Sequence, residues 1–419
     1  MTADPAILLD VSRLISRLGA GPATGIDRVE AEWLAHMQTR PHLLLCRIGA
    51  GQLLLPPAAG VAILGWIAGR GLEALPAPGL MDRLRGRRDL RARAGAALRR
   101  MALARTGRDG HGLVRHLRRH LPGPVADGVY VNVGHANLRP VLWQNLRGLR
   151  RVVLIHDTIP LDHPEFTRAG QSERFRARFR AAVGQADLIL TISEAARADI
   201  LRWRATLGLP VRAPVEAVAL ATRLSPEGAA VPDIATDRPF FVTLGTIEPR
   251  KNHAVLLDAW QELGRRLPAA RMPRLYIIGR RGWENREVFA CLDALPQDGL
   301  VREFAGLDDG QVAWLLARSH GLLMPSRAEG FGLPLTEAAG RGIPVLSAPL
   351  ASAREVMGDY ARWLSPDDPR AWAGAVALLA GAVPLRLQNL AVRDWDTYFA
   401  EINEVLRAKL QLGMSVSKS

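Results

Sequence analysis

Short continuous apolar runs recur along the chain, and stretches with apolar residues three or four apart lie between them. The first run covers residues 6–11, and a glycine-rich loop with Gly19, Gly21 and Gly25 follows it. Residues 26–34 then place apolar side chains at 26, 29, 33 and 34, which is a helical period. Further runs lie at 129–133, 151–155 and 187–192. Beyond a polar, proline-bearing stretch at 225–239, the alternation resumes with runs at 240–244, 274–278, 300–304, 321–324 and 344–347. Helical patterns cover 252–267, 309–317 and 395–410. Apolar runs without polar alternation are strands buried on both faces, as in parallel sheets sandwiched by helices. The pattern predicts an α/β chain with two tandem, doubly wound Rossmann-like domains facing a central cleft, at 1–232 and 233–394, and a final helix and tail at 395–419. Ligands of such sheets bind beyond the carboxyl ends of the strands.

Composition adds limits. The chain has 419 residues, 48% of them hydrophobic, which suits two domains with a core each. No charge lies between Arg47 and Arg70, but Pro56-Pro57 and scattered glycines break that stretch, so two buried strands around 53–55 and 61–64 are predicted rather than a membrane span. Asp4 stands where an export signal carries basic residues, and the two cysteines, Cys46 and Cys291, read as buried free thiols. A cytoplasmic protein is the expectation. The net charge of +14 is concentrated at 83–119, where thirteen arginines stand against Asp89 and Asp109. Leucine, alanine and methionine interleave with them, as in an amphipathic helix on the face of an anionic inner membrane. An ordinary solvated face is the alternative. Nucleic acid ranks last, because no aromatic residue interrupts the segment to stack on bases.

Two loops carry chemistry. The run at 321–324 leads into Pro325-Ser326-Arg327-Ala328-Glu329-Gly330-Phe331-Gly332-Leu333-Pro334-Leu335-Thr336-Glu337, where Pro334 suits the first turn of a helix. Free backbone N–H groups at a helix start after a strand are the ingredients of a diphosphate cradle. Glu329 can accept from sugar hydroxyls, and Glu337, one turn into the helix, can take both hydroxyls of a ribose. The plainer reading leaves Glu329 solvated and Glu337 complementing the helix dipole. The second loop, Gly245-Thr246-Ile247-Glu248-Pro249-Arg250-Lys251-Asn252, presents two cations after a strand. Lys251 is one of only three lysines in a chain whose other basic residues are all arginine. Together Arg250 and Lys251 could offset the charge that builds on a departing diphosphate.

These two motifs, with His156-Asp157 after a strand, resemble the retaining glycosyltransferases of family 4, which have the GT-B fold, and most of all the bacterial mannosyl- and rhamnosyltransferases of surface-polysaccharide assembly. The likeness is strongest over 240–364 and looser over 51–121. It implies that Arg250 and Lys251 hold the donor diphosphate, that Glu329 meets the donor sugar, and that Glu337 binds the ribose. The backbone at Gly330, Phe331, Gly332 and Leu333 would contact sugar and phosphate. His156 would stand near the reacting centre, unless it is only a hydrogen-bonded histidine ending a core strand, and Ser193 would line the cleft. Where the family has a glycine pair in its first loop, the glycines here are spread out; Gly25 is one candidate for the donor.

Retention is implied by the resemblance, and no carboxylate pair is evident for a double displacement. Same-face transfer, with the leaving phosphate helping to deprotonate the acceptor, is the expected route. No metal and no cofactor are expected beyond the nucleotide-sugar substrate, with GDP-mannose first; Asp394-Trp395-Asp396 reads as surface. The acceptor is expected to be a lipid-linked sugar or an oligosaccharide. A nucleotide-sugar epimerase or a non-catalytic nucleotide-sugar-binding protein is the alternative.

Overall fold

A computed structural model describes residues 5–21, 23–296, 298–381 and 383–410. Residues 1–4, read above for an export signal, Pro22 of the glycine-rich loop and the tail beyond Leu410 lie outside the described residues.

The first sheet contains β1 (Ile7–Asp10), β2 (His42–Ile48), β3 (Gly51–Leu55), β4 (Ala104–Gly107), β5 (Val129–Asn132), β6 (Arg150–Ile155), β7 (Leu188–Thr191) and β8 (Val215–Ala217), in the order β4-β3-β2-β1-β5-β6-β7-β8. The second contains β9 (Phe240–Leu244), β10 (Arg274–Ile278), β11 (Val301–Phe304), β12 (Leu322–Met324), β13 (Val345–Ser347) and β14 (Arg362–Trp363), in the order β11-β10-β9-β12-β13-β14. Successive side chains of a strand point to opposite faces, and both faces here are apolar. Ile7 and Leu9 enter one core cluster while Leu8 enters another; Phe241 and its neighbours Phe240 and Val242 divide in the same way. That double burial explains why the strands read as unbroken apolar runs. Between β8 and β9, residues 218–239 contain no helix or strand.

Three expectations change. The first sheet is not wholly parallel, because β3 pairs antiparallel with β2 and β4 antiparallel with β3. The uncharged stretch yields one strand, not two: after β3 the chain forms the Pro57–Ile67 helix, with Pro57 in its first turn. Its buried residues, Ala59, Gly60, Ile63 and Trp66, keep helical spacing, and a side chain at Gly60 would collide with Gln38. The basic segment is not one amphipathic helix either. It is divided among the Leu80–Leu84, Leu90–Met101 and Leu113–His120 helices and β4. In the middle helix the apolar side (Ala94 and Leu98) is spent on the core, which leaves arginines on the outer side. Only the short Leu80–Leu84 helix keeps its apolar residues outside: Leu80, Met81 and Leu84 are 65%, 61% and 73% exposed. Cys46 is buried as expected, whereas Cys291 is half-buried on the Arg286–Asp293 helix. Among the described residues no helix is long and apolar enough to cross a membrane.

The Trp395–Leu410 helix follows the second sheet in sequence but packs against the first. Tyr398, Phe399, Ile402, Leu406 and Leu410 join the cluster of Ile7, Trp33 and Trp66. The Phe399 ring lies parallel to His36 at 3.9 Å and edge-on to Trp33 at 5.4 Å. Asp394 of the Asp-Trp-Asp triplet accepts from the Thr397 N–H at the helix start. Removing the Phe399 ring from this well-packed position is expected to cost about 3–5 kcal/mol; equilibrium denaturation of Phe399→Ala checks it.

Candidate active site

The loop after β12 meets the loops after β6 and β7, so the carboxyl ends of both sheets face one another. Contact is tight at Gly330: a Cβ there would lie 2.8 Å from the His156 carbonyl oxygen and 3.2 Å from Asp157 Cβ. Ser193 caps the Glu194–Thr206 helix by accepting from the Ala196 N–H, and its hydroxyl also donates to the Gly330 carbonyl at 3.3 Å. The first two N–H groups of that helix, from Glu194 and Ala195, donate to Glu355 from the second sheet's side. Phe331 is 5% exposed and belongs to the core cluster of the first sheet, with Leu333 packed beside it. The Gly-Phe-Gly-Leu insert thus plugs the first half of the molecule with side chains, a role its glycines had masked in the sequence. Gly332 has φ 96°, in the left-handed region that favours glycine, and starts the Leu333–Ala339 helix.

Arg250, Lys251 and Glu329 come together as expected. The Glu329 carboxylate accepts from Lys251 Nζ at 2.5 Å and from Arg250 Nη1 at 2.9 Å. Arg250 Nη1 also donates to the Ala328 carbonyl, and its Nε pairs with Glu248 at 2.5 Å. The backbone is fixed around them: Arg327 N–H donates to the Arg250 carbonyl, and Asn252, in the left-handed region at φ 54°, bonds the carbonyls of Pro325 and Pro366. Gly245 is needed next to Lys251, because a Cβ there would sit 3.0 Å from Lys251 Cε. Burial pushes the Glu329 carboxyl up, but Arg250 and Lys251 together outweigh it and hold it at about 2. Burial pushes Glu248 and Asp157 up, against the pull of Arg250 on each. Glu248, Asp157 and Arg28 were not picked out from the sequence; Glu248 and Asp157 sit inside quoted motifs, but nothing in the pattern announced that they are buried.

Glu337 stands apart from this triad. Its Oε1 accepts from Arg28 Nη1 at 2.7 Å, and Arg28 Nη2 pairs with Asp309 at 2.5 Å. Arg28 belongs to the Gly25–Met37 helix of the first sheet's half, where the Thr24–Asp27 capping box fixes the first turn. Gly25 lies against Leu333, since a Cβ there would be 3.7 Å from Leu333 Cδ1, while Gly21, at φ 91°, lies against Arg280. His156 is enclosed, at 3% exposure: its Nε2 hydrogen-bonds the Val133 carbonyl at 2.7 Å, and its N–H meets His135 Nε2 at 3.2 Å. The imidazole therefore has a structural bond of the kind a strand-ending histidine makes, while its backbone carbonyl is the part that touches Gly330.

Residues 226–382 match the family described as Glycosyl transferases group 1. The serotype-specific mannosyltransferase WbdA of Escherichia coli is 29% identical over 237 residues, 53% of this chain and 29% of its own length. O-antigen chain mannosyltransferase B of Escherichia coli is 28% identical over 231 residues, 52% of this chain and 58% of its own. The chain thus spans well under two thirds of the curated relatives it matches. Among solved structures, Anabaena HepE in complex with UDP and glucose superposes with a TM-score of 0.62 at 15% identity, over 96% of this chain and 100% of that one. That likeness concerns the fold.

Burial holds His156 at about 4, and His253 is held at about 3 for the same reason, both below an ordinary 6.5. Such groups bind a proton more readily in the unfolded chain, so their contribution is complete above pH 6.5 and is lost as pH falls toward 4. Stability is expected to drop between pH 6.5 and 4, with His156 alone responsible for roughly 3 kcal/mol at most. Denaturation curves of the wild type and His156→Gln across that range check this; the variant is expected to show the shallower dependence.

Proposed function

We propose that this chain, which carries a group 1 glycosyl transferase domain on a GT-B fold, is a retaining transferase that moves a hexosyl unit, mannosyl first, from a nucleotide diphosphate sugar to a saccharide or lipid-linked acceptor. The observation that carries the reading is the ion-paired triad of Glu329 with Arg250 and Lys251 at the mouth of a glycine-opened loop. Two cations gathered on the Glu329 carboxylate, with Glu248 also on Arg250, make a preformed seat for a diphosphate. An arriving diphosphate offers both cations oxygens of higher charge, and Glu329, released from them, is free to accept from hydroxyls of the donor sugar. Arg250 and Lys251 then stabilise the charge on the leaving group, the largest electrostatic demand of the reaction. Enclosure of His156 argues against its imidazole as a proton acceptor at neutral pH and favours same-face transfer, in which a leaving-phosphate oxygen takes the acceptor's proton. GDP-mannose is the proposed donor, on the strength of the mannosyltransferase relatives.

The acceptor side includes a surface. The exposed Leu80, Met81 and Leu84 sit next to Arg83, Arg85, Arg87, Arg88 and Arg91, all exposed. Apolar residues ringed by arginine suit an anionic lipid face, which supports a membrane-facing part at 80–91 rather than along the whole of 83–119. A lipid-linked acceptor would then be drawn from that face.

Three outcomes are expected. GDP-mannose raises the melting temperature of the wild type but not of Glu337→Ala, by mass action of a ligand that binds only the folded state; a UDP-sugar that does so instead would replace the donor, and no shift from any GDP- or UDP-sugar would sink the reading. Lys251→Ala lowers kcat for donor turnover by about a hundredfold, and unchanged turnover would remove the diphosphate role. Flotation with anionic vesicles is expected at low salt and not at about 1 M salt, where screening is within about 3 Å. A protein left in the soluble fraction at low salt would exclude the lipid surface.

A further inference from the structure

Glu337 is the carboxylate proposed to take the ribose, yet its position is not set by the half of the molecule that carries it. The Leu333–Ala339 helix is only two turns long, and Glu337 lies mid-way along it with its side chain largely buried (14% exposed). No donor from its own side holds the carboxylate among the described residues. Among the described residues its one hydrogen-bonding partner is Arg28, from the first turn of the Gly25–Met37 helix across the cleft. The guanidinium takes Oε1 of Glu337 with Nη1 and Asp309 with Nη2, and so bridges two elements of the second half, the Leu333–Ala339 and Asp309–Arg318 helices. Oε2 of Glu337 has no hydrogen-bond partner among the described residues, which leaves an acceptor atom of a fixed carboxylate pointing elsewhere.

Arg28 is itself well placed to act as a strut. Thr24 and Asp27 close a capping box one turn before it, and Arg13 and Arg17 pair with Asp27, so the helix start cannot shift without breaking several contacts. Beside it Gly25 meets Leu333, and the Thr222 and Thr336 hydroxyls meet at 2.7 Å one residue before Glu337.

We propose that Arg28 is the positioning residue of the ribose subsite: by holding Oε1 of Glu337 from the opposite half of the molecule it leaves Oε2 aimed for the ribose hydroxyls, so that full ribose recognition requires the two halves to be closed. The proposal rests on Glu337 as the ribose carboxylate. Burial raises the Glu337 carboxyl above its ordinary range, and Arg28 is the main group pulling it back, so the same contact keeps the carboxylate a good acceptor. A recognised nucleotide would therefore report its ribose hydroxyls to the closure of the cleft, while its diphosphate binds within the second half alone.

The test is calorimetric titration of GDP or UDP, whichever binds the wild type more tightly, against its 2′,3′-dideoxy counterpart. The ratio of the two affinities reads ribose recognition and cancels general damage to the site. The wild type is expected to favour the ribonucleotide by about tenfold or more, the worth of a hydrogen bond to a charged group. Arg28→Ala is expected to bring the ratio below about twofold by weakening the ribonucleotide while leaving the dideoxy form unchanged, and Arg28→Lys to restore part of it. Glu337→Ala, run in parallel, should also abolish the preference. If Glu337→Ala keeps the wild-type ratio, the ribose assignment fails and this proposal with it. If Glu337→Ala loses the preference and both Arg28 variants keep it, Arg28 is only a structural contact and the proposal alone is overturned.

Discussion

A carboxylate between two cations, with Glu329 and Lys251 largely out of water and Arg250 partly so, is the constraint around which the second half is arranged. Any one of Glu329, Arg250 and Lys251 left alone at that depth would be strongly unfavourable, so the loops that carry them must keep their relative positions. That requirement accounts for the left-handed turn at Asn252, the glycine at 245, and the bond from Arg327 back to the Arg250 carbonyl. It also accounts for Glu248, which takes the remaining face of Arg250.

The two halves are joined by interactions of different kinds along one seam. Phe331 contributes apolar burial, Ser193 and Glu355 complete the start of the Glu194–Thr206 helix, and Arg28 contributes charge. None is large alone. Polar contacts at such a seam exchange readily with water, whereas Phe331 loses its packing outright if the halves part.

Much of this was legible in the residue pattern because the information is local. A strand buried on both faces must be apolar throughout, which is why β1, β5 to β7 and β9 to β13 could be read directly, although β2, just as buried, was missed. Arg250, Lys251 and Glu329 could be paired on paper because two loop motifs each follow a strand. Other features depend on distant contacts. In residues 57–67 the short apolar run at 61–64 fits a strand or a helix taken alone; the helix shows in Pro57 at its first turn and in the spacing of the buried Ala59, Ile63 and Trp66. The interleaved arginines of 83–119 suggested a continuous amphipathic helix, but the turns and β4 within it are settled by pairing with β3. Burial of His156 and the reach of Arg28 across the cleft have no counterpart in sequence spacing at all, being separated from their partners by 23 and 309 positions.

The return of the Trp395–Leu410 helix to the first sheet has a consequence for synthesis. Domains usually acquire structure one after another as they leave the ribosome, but here the aromatic side of Trp33 and His36 is covered by residues translated after the entire second sheet. The first half must stand with an apolar flank uncovered until the last helix has been made, has left the ribosomal tunnel and can cross back to seal it.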